Sequence, residues 1–414
     1  DWNEWDKWLT YSKESAPKLS AVAIHFAKEL RKQNVPLGIV SCNWGGTSAS
    51  TWIDKEYLLE DEELKTYIDD FEEIVAKLDL ESYYKTNKIA RMLSDSPESQ
   101  DRMAPISKNT FHPEEMNKLM LDMQTPDPSD EEKKRKILEE NPGISFEDMQ
   151  AIGPNDKNNP STLYENMLKE VLGYGIRGVI WYQGESDAHK PDIYSKLFSK
   201  MIECWRRDWQ EEIPFLFVQL APFGIWLGSS GEDYPILRRQ QELVSKTVSN
   251  VYMTSISDIG NVYDIHPKEK KLVGQRLALL AKKYVYQEDI LADPPEAEKI
   301  ERDGDKIKIS FHHGTGLYKK EADFECYNGF HVSEIDKQYL PPVLDGVNGL
   351  KVFADEVEIV DGKCRVEEDM LIVQAKELKE AKDIRIEFAE TNFYQVNIYN
   401  AAGLPVKPFR MELS

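Results

Sequence analysis

Among the seven histidines of this chain, His266 sits in a setting suited to acid–base chemistry, Asp264-Ile-His266-Pro267. An imidazole takes up a proton near neutral pH, as a base in acyl transfer must. A carboxylate beside it can hold the required tautomer. Asp264 lies two residues back, and Asp258 closes the strand before it. The bland alternative is a surface histidine in a loop that leads into a helix. The other histidines (His25, His112, His189, His312, His313, His331) are scattered, and no HxxxH or HExxH spacing occurs. A zinc site is therefore not expected.

Gln183-Gly184-Glu185-Ser186-Asp187 is a second polar cluster. Three readings of it stand open. The Gln183 amide can donate to an oxyanion while Gly184 lets backbone come close. Glu185 and Asp187 can act as a glycosidase acid and base. The cluster can also be a polar cap between a strand and a helix. Carboxylates two residues apart point to opposite sides of an extended chain, which weakens the glycosidase reading. Trp44-Gly45-Gly46-Thr47 is a third cluster, either an amide-lined oxyanion site or a tight turn. It is not GxGxxG, and no GxxxxGK[ST] phosphate loop exists. GxSxG is absent as well, so no nucleophile elbow is present. Cys42 lies near these clusters and is read as strand packing.

The elements that would position these residues alternate in type. A helix is expected over 19–33, with Ser20 as its N-cap, and a buried strand over Val35–Ser41. Residues 54–86 hold 12 acids against 4 bases and read as helical. With the polar, Pro-spotted stretch that follows, they predict a surface helical insertion over about 55–155, a possible lid or a solvated excursion. Further helices are expected over 160–176, 191–209, 234–249 and 268–285. The runs Arg177–Tyr182, Pro214–Leu220 and Val251–Ile256 read as buried strands. This order predicts a parallel three-layer α/β sheet, in which ligands bind beyond the carboxyl ends of the strands. All three clusters fall there. Past Ala292-Asp-Pro-Pro-Glu296 the texture changes to short alternating runs, which predict a sandwich-like all-β domain. The expected division is 1–290 for the α/β domain and 291–414 for the β-domain.

Composition limits the function classes. The 414 residues are 41% hydrophobic and 30% charged, which is globular. The formal net charge of −22 argues against nucleic-acid and anionic-membrane partners. No apolar run approaches the length of a membrane span. Four cysteines (Cys42, Cys204, Cys326, Cys364) without a CxxC pair suit reduced thiols and a cytoplasmic setting, although secretion is not excluded. Oligomeric state is not read.

The blocks 35–53 (VPLGIVSCNWGGTSASTWI), 159–187 (ending VIWYQGESD), 264–281 (DIHPKEKKLVGQRLALLA) and 397–410 (NIYNAAGLPVKPFR) together resemble the sialate O-acetylesterase group of SGNH hydrolases. The resemblance implies an SGNH/flavodoxin-like sheet and hydrolysis of O-acetyl esters on sugars through a serine acyl-enzyme, without metal or organic cofactor. It assigns an oxyanion-hole glycine to Gly45 or Gly46, a side-chain oxyanion donor to Gln183, an ordering carboxylate to Glu185 and the base to His266. Two departures from the family pattern stand out. The family's serine lies in a GQSNM block on the first strand. That block is expected upstream of these residues, on a segment or chain that would act as a partner. Related hydrolases also often place the aspartate three residues before the histidine, where Tyr263 stands; Asp264 is favoured, with Asp258 or a backbone carbonyl as alternatives. The competing functions are a non-catalytic carbohydrate-binding member of the family and a glycosidase using Glu185 and Asp187. An anionic sugar such as sialic acid would favour an arginine, for which Arg238 and Arg239 are candidates beside a plain surface role.

Overall fold

The computed structural model describes residues 19–32, 36–86, 152–226, 229–321 and 339–413, with isolated positions in 8–15, 132–142 and 326–331. Helix α1 (Ala21–Arg31) starts where the Ser20 side chain accepts from Ala23 N. Helices α2 (Lys55–Leu59) and α3 (Glu62–Ala76) follow, capped by Asp54 and Asp61. These two helices and the helical residues up to 86 lie within the expected insertion, and most of 87–151 lies outside the described residues.

A three-stranded parallel sheet then forms from β1 (Val179–Trp181), β2 (Phe215–Val218) and β5 (Val251–Thr254), in that order. Helix α4 (Tyr194–Trp209) connects the first pair of strands. The second connection carries a short hairpin, β3 (Ile225–Trp226) with β4 (Ser229–Ser230), and helix α5 (Tyr234–Thr247). The apolar strand sequences explain why both sheet faces are covered. Phe215 and Phe217 pack into one core with Leu197, Phe198 and Leu237 from α4 and α5. Leu216 and Val218 face the other way, against Leu30 of α1 and Val273 and Leu277 of α6 (Lys270–Leu280). Gly274 lets α1 and α6 meet, because a Cβ there would lie 2.6 Å from Val22 O and 2.7 Å from Phe26 N.

The expected strand over Val35–Ser41 is not part of this sheet. Residues 36–42 form neither strand nor helix, are exposed or at most half-buried, and make no backbone–backbone hydrogen bond to another described residue. Leu37 packs beside Ile180 in the second core, so the apolar character of the run is used without a ladder. Its apolar residues favour burial, but a strand also needs a neighbouring backbone, and none of the described elements supplies one.

The C-terminal region is built on two antiparallel four-stranded sheets, with smaller two-stranded pairs beside them. One contains β6 (Glu296–Asp303), β7 (Lys306–His312), β10 (Lys363–Glu367) and β11 (Met370–Gln374). The other contains β8 (Leu350–Ala354), β9 (Val357–Glu358), β12 (Ile384–Phe388) and β13 (Phe409–Leu413). Ile307, Ile309 and Val373 from the first sheet share one core with Val352, Ile386 and Phe388 from the second. Alternation along these strands places the apolar residues inward.

Candidate active site

The carboxyl ends of β1, β2 and β5 lead into the segments 182–187, 219–226 and 255–268. Asp264 and His266 form one unit there. Asp264 Oδ1 accepts from His266 N at 2.8 Å and lies 3.0 Å from His266 Nδ1. Lys268 Nζ donates to Asp264 Oδ2 at 2.7 Å. Burial pushes the Asp264 carboxyl up, but hydrogen bonds from His266 and Lys268 outweigh it and hold the group below its ordinary range. The carboxylate is 6% exposed and the imidazole 65% exposed, so a fixed anion orients a ring that is open to solvent. With Nδ1 on Asp264, Nε2 faces outward and has no hydrogen-bond partner among the described residues.

Asp258 does not share this role. It forms a two-pronged ion pair with Arg276, at 2.6 and 2.7 Å, that ties the end of β5 to α6.

Gly184 opens the 183–187 cluster with φ +150°, and a Cβ there would meet Gln241 Nε2 at 3.1 Å and Leu220 Cδ1 at 3.2 Å. Only glycine fits that combination. Gln183 is turned inward. Its amide nitrogen donates to Thr47 O at 3.0 Å and to Asp187 Oδ2 at 2.5 Å, and its oxygen accepts from Tyr194 at 3.1 Å. Both amide protons are thus committed to protein acceptors, and the expected free oxyanion donor is instead a link between loops.

Asp187 is fully buried and accepts from Ser48 Oγ at 2.5 Å, from Ala49 N at 2.9 Å and from Gln183. Burial pushes its carboxyl up, against these three donors. With both oxygens used as a clamp, Asp187 is not a free acid or base, and the glycosidase pairing with Glu185 loses its second member. Glu185 is likewise raised by burial, countered by the charges of Lys270 and His266. Lys270 is lowered by burial, with Glu185 and Asp264 opposing, and its ammonium sits 5.2 Å from the Tyr182 ring centroid.

Gly45 and Gly46 are exposed, and Gly46 has φ +66°. Lys157 Nζ donates to Gly45 O at 2.7 Å, and neither glycine N–H has a recorded partner among the described residues. The Gln183–Thr47 bond joins this loop to the 183–187 cluster, and the charge of His266 acts on Glu185 without a hydrogen bond between them among the described residues. Cys42 is half-buried and its thiol is pushed up to about 11 by burial, an unreactive setting. Cys42, Cys204 and Cys364 are free thiols. Arg238 and Arg239 face the C-terminal β region rather than the site. Arg238 stacks on Tyr394 and donates to Thr391 O at 2.6 Å, and Arg239 pairs with Glu390. Among the described residues, no group of three metal-ligating side chains occurs and no helix is long and apolar enough to cross a membrane.

Two features had no local signal in the sequence. The partners of Asp187 lie 138 and 139 residues away along the chain. Trp226, on the β3 strand, stands at 86° to the His266 ring with centroids 5.2 Å apart.

Comparison with known proteins gives a consistent picture. Residues 150–283 match the family model described as carbohydrate esterase, sialic acid-specific acetylesterase. Mouse sialate O-acetylesterase is 31% identical over 160 residues, covering 34% of this chain and 29% of that protein. The human sialate O-acetylesterase is 28% identical over 182 residues, covering 39% of this chain and 35% of that protein. The matched stretch therefore spans about a third of the length of these curated relatives. The crystal structure of a carbohydrate acetylesterase from Xanthomonas citri superposes with a TM-score of 0.60 at 23% identity, covering 98% of this chain and 68% of that one. At that identity the likeness concerns the fold. Residues 150–283, which hold both the Gln183–Asp187 cluster and the Asp264–His266 pair, are thus the part of the chain that is similar to the sialic acid-specific acetylesterase family of carbohydrate esterases.

Proposed function

We propose that this chain forms the general-base half of an SGNH-type serine esterase that removes O-acetyl groups from sugars. The observation that carries this reading is the Asp264–His266 pair, with Nδ1 held at 3.0 Å and Nε2 free, inside the stretch that matches the family. In the proposed cycle His266 Nε2 takes the proton of a serine hydroxyl as that oxygen attacks the acetyl carbonyl. Collapse of the tetrahedral intermediate expels the sugar oxygen, which takes the proton back from the imidazolium. Water then attacks the acetyl-enzyme by the same route and releases acetate. Asp264 holds the Nδ1 proton throughout.

The N–H groups of Gly45 and Gly46, which have no partner among the described residues, are the better candidates for the oxyanion site, because the Gln183 amide is committed elsewhere. Gln183 and Asp187 then act as positioning residues that fasten the glycine loop. Glu185 orders the site together with Lys270.

The serine is proposed to come from outside these 414 residues, on a strand that enters beside β1. Two features support that placement. Among the described residues β1 pairs with a strand on one side only, and Leu37 of the run 36–42 packs against the same core without a ladder. A fluorophosphonate probe applied to the full natural protein tests the assignment. Labelling of a serine outside residues 1–414, abolished by His266→Ala, is expected. Labelling of a serine within them would overturn the placement. No labelling and no acetate release, with O-acetylated sugar still bound, would favour the non-catalytic carbohydrate-binding reading, which the unpartnered Nε2 also permits.

A further inference from the structure

The hairpin that carries Trp226 is fastened to the loop that carries His266. Phe223 bridges to Asn261, and the N–H groups of Gly224 and Ile225 both donate to Val262 O at 2.9 Å. A Cβ at Gly224 would lie 2.8 Å from Val262 O, so the approach is as close as backbone allows. Asn261 Oδ1 in turn accepts from Tyr263 N at 2.9 Å, which shapes the turn just before Asp264. The β-domain backs the same loop, with Phe393 packed against Val262 and Tyr263. Two rings on separate segments are thereby held as one unit, perpendicular and 5.2 Å apart. The imidazole is largely exposed, the indole is half-buried, and indole Nε1 has no protein partner among the described residues. An aromatic face held rigidly beside an open base, with a spare N–H donor, suits a ligand with one apolar face and polar edges.

We infer that Trp226 is the platform for the sugar ring: the C–H face of an O-acetylated pyranose lies on the indole, which brings its ester toward Nε2 of His266. This inference rests on the proposed esterase activity and adds the residue that distinguishes a sugar ester from any other acetyl ester. The competing role is that of a strut, in which Trp226 only fixes the His266 ring. The two roles differ in which kinetic constant they move.

The test compares acetate release from an O-acetylated pyranoside and from 4-nitrophenyl acetate by the full natural protein, as wild type, Trp226→Ala and Trp226→Phe. The platform predicts that Trp226→Ala raises KM for the pyranoside. The ratio of kcat/KM for the pyranoside over 4-nitrophenyl acetate should fall about tenfold, and Trp226→Phe should restore most of it. An equal fall in kcat on both substrates, leaving that ratio unchanged, would overturn the platform and establish the strut. If the wild type hydrolyses neither ester, the esterase reading fails, and calorimetric titration with the same pyranoside decides the platform separately. Binding weakened about tenfold by Trp226→Ala supports it; no binding by the wild type, or equal binding by both, overturns it.

Discussion

His266 can serve as a base only if its outward nitrogen is the unprotonated one, and Asp264 decides that by occupying Nδ1. Asp264→Asn should therefore leave the fold intact and lower kcat by roughly 10³-fold or more, because an amide can stabilise the wrong tautomer; steady-state kinetics on an acetyl ester reads this. Asp187 presents the opposite case. Its carboxylate satisfies a serine hydroxyl, a backbone amide and the Gln183 side chain, all buried. Asp187→Ala should cost about 2–4 kcal/mol in urea unfolding, since it strands several buried donors at once. A loss under about 0.5 kcal/mol would show that the clamp is not structural. At this scale the sequence was legible where partners are near neighbours. Asp264 and His266 are two residues apart, and their pairing follows from that spacing. The inward turn of Gln183 was not legible, because its acceptor Thr47 is 136 residues away. Nor was the docking of Arg238 on Tyr394 of the C-terminal β region.

Among the elements, the parallel strands were readable because each is a short apolar run buried on both faces, as at Phe215-Leu-Phe-Val218. The run at 35–41 has the same look, yet its described residues 36–41 stand outside the ladder and are exposed or half-buried, because apolar composition alone supplies no backbone partner. β6 shows the converse. Its sequence, Glu-Ala-Glu-Lys-Ile-Glu-Arg-Asp, is mostly exposed and polar, and it gains its strand geometry from pairing with β7. The α1–α6 contact depends on a single glycine. Gly274→Ala would place a methyl against the α1 backbone, and even this small addition should cost about 1–3 kcal/mol through helix displacement. Thermal unfolding would register it. A stability equal to wild type would mean that the helices have room to part.

Across the whole molecule, the α/β and β regions are joined by a partly buried ion network. Lys407 pairs with Glu242 and Glu296, and Lys246 pairs with the same two carboxylates. Burial pushes Glu296 up, but the two lysines dominate and bring it from 4.5 to about 2. A carboxylate depressed on folding contributes its full stability above its unfolded value. That contribution declines as pH falls from about 4.5 and vanishes below about 2. Glu296→Gln should accordingly lower Tm near pH 6, and the difference from wild type should shrink steadily from pH 4.5 downward. A difference that stays constant across that range would contradict the network's role.

The proposed function requires His266 to act as the base of an acetyl transfer. The most direct measurement is kcat for acetate release from an O-acetylated sugar by the full natural protein and its His266→Ala variant, matched for folding by their Tm. A fall of roughly 10³-fold or more is predicted. A fall of less than about tenfold would contradict it.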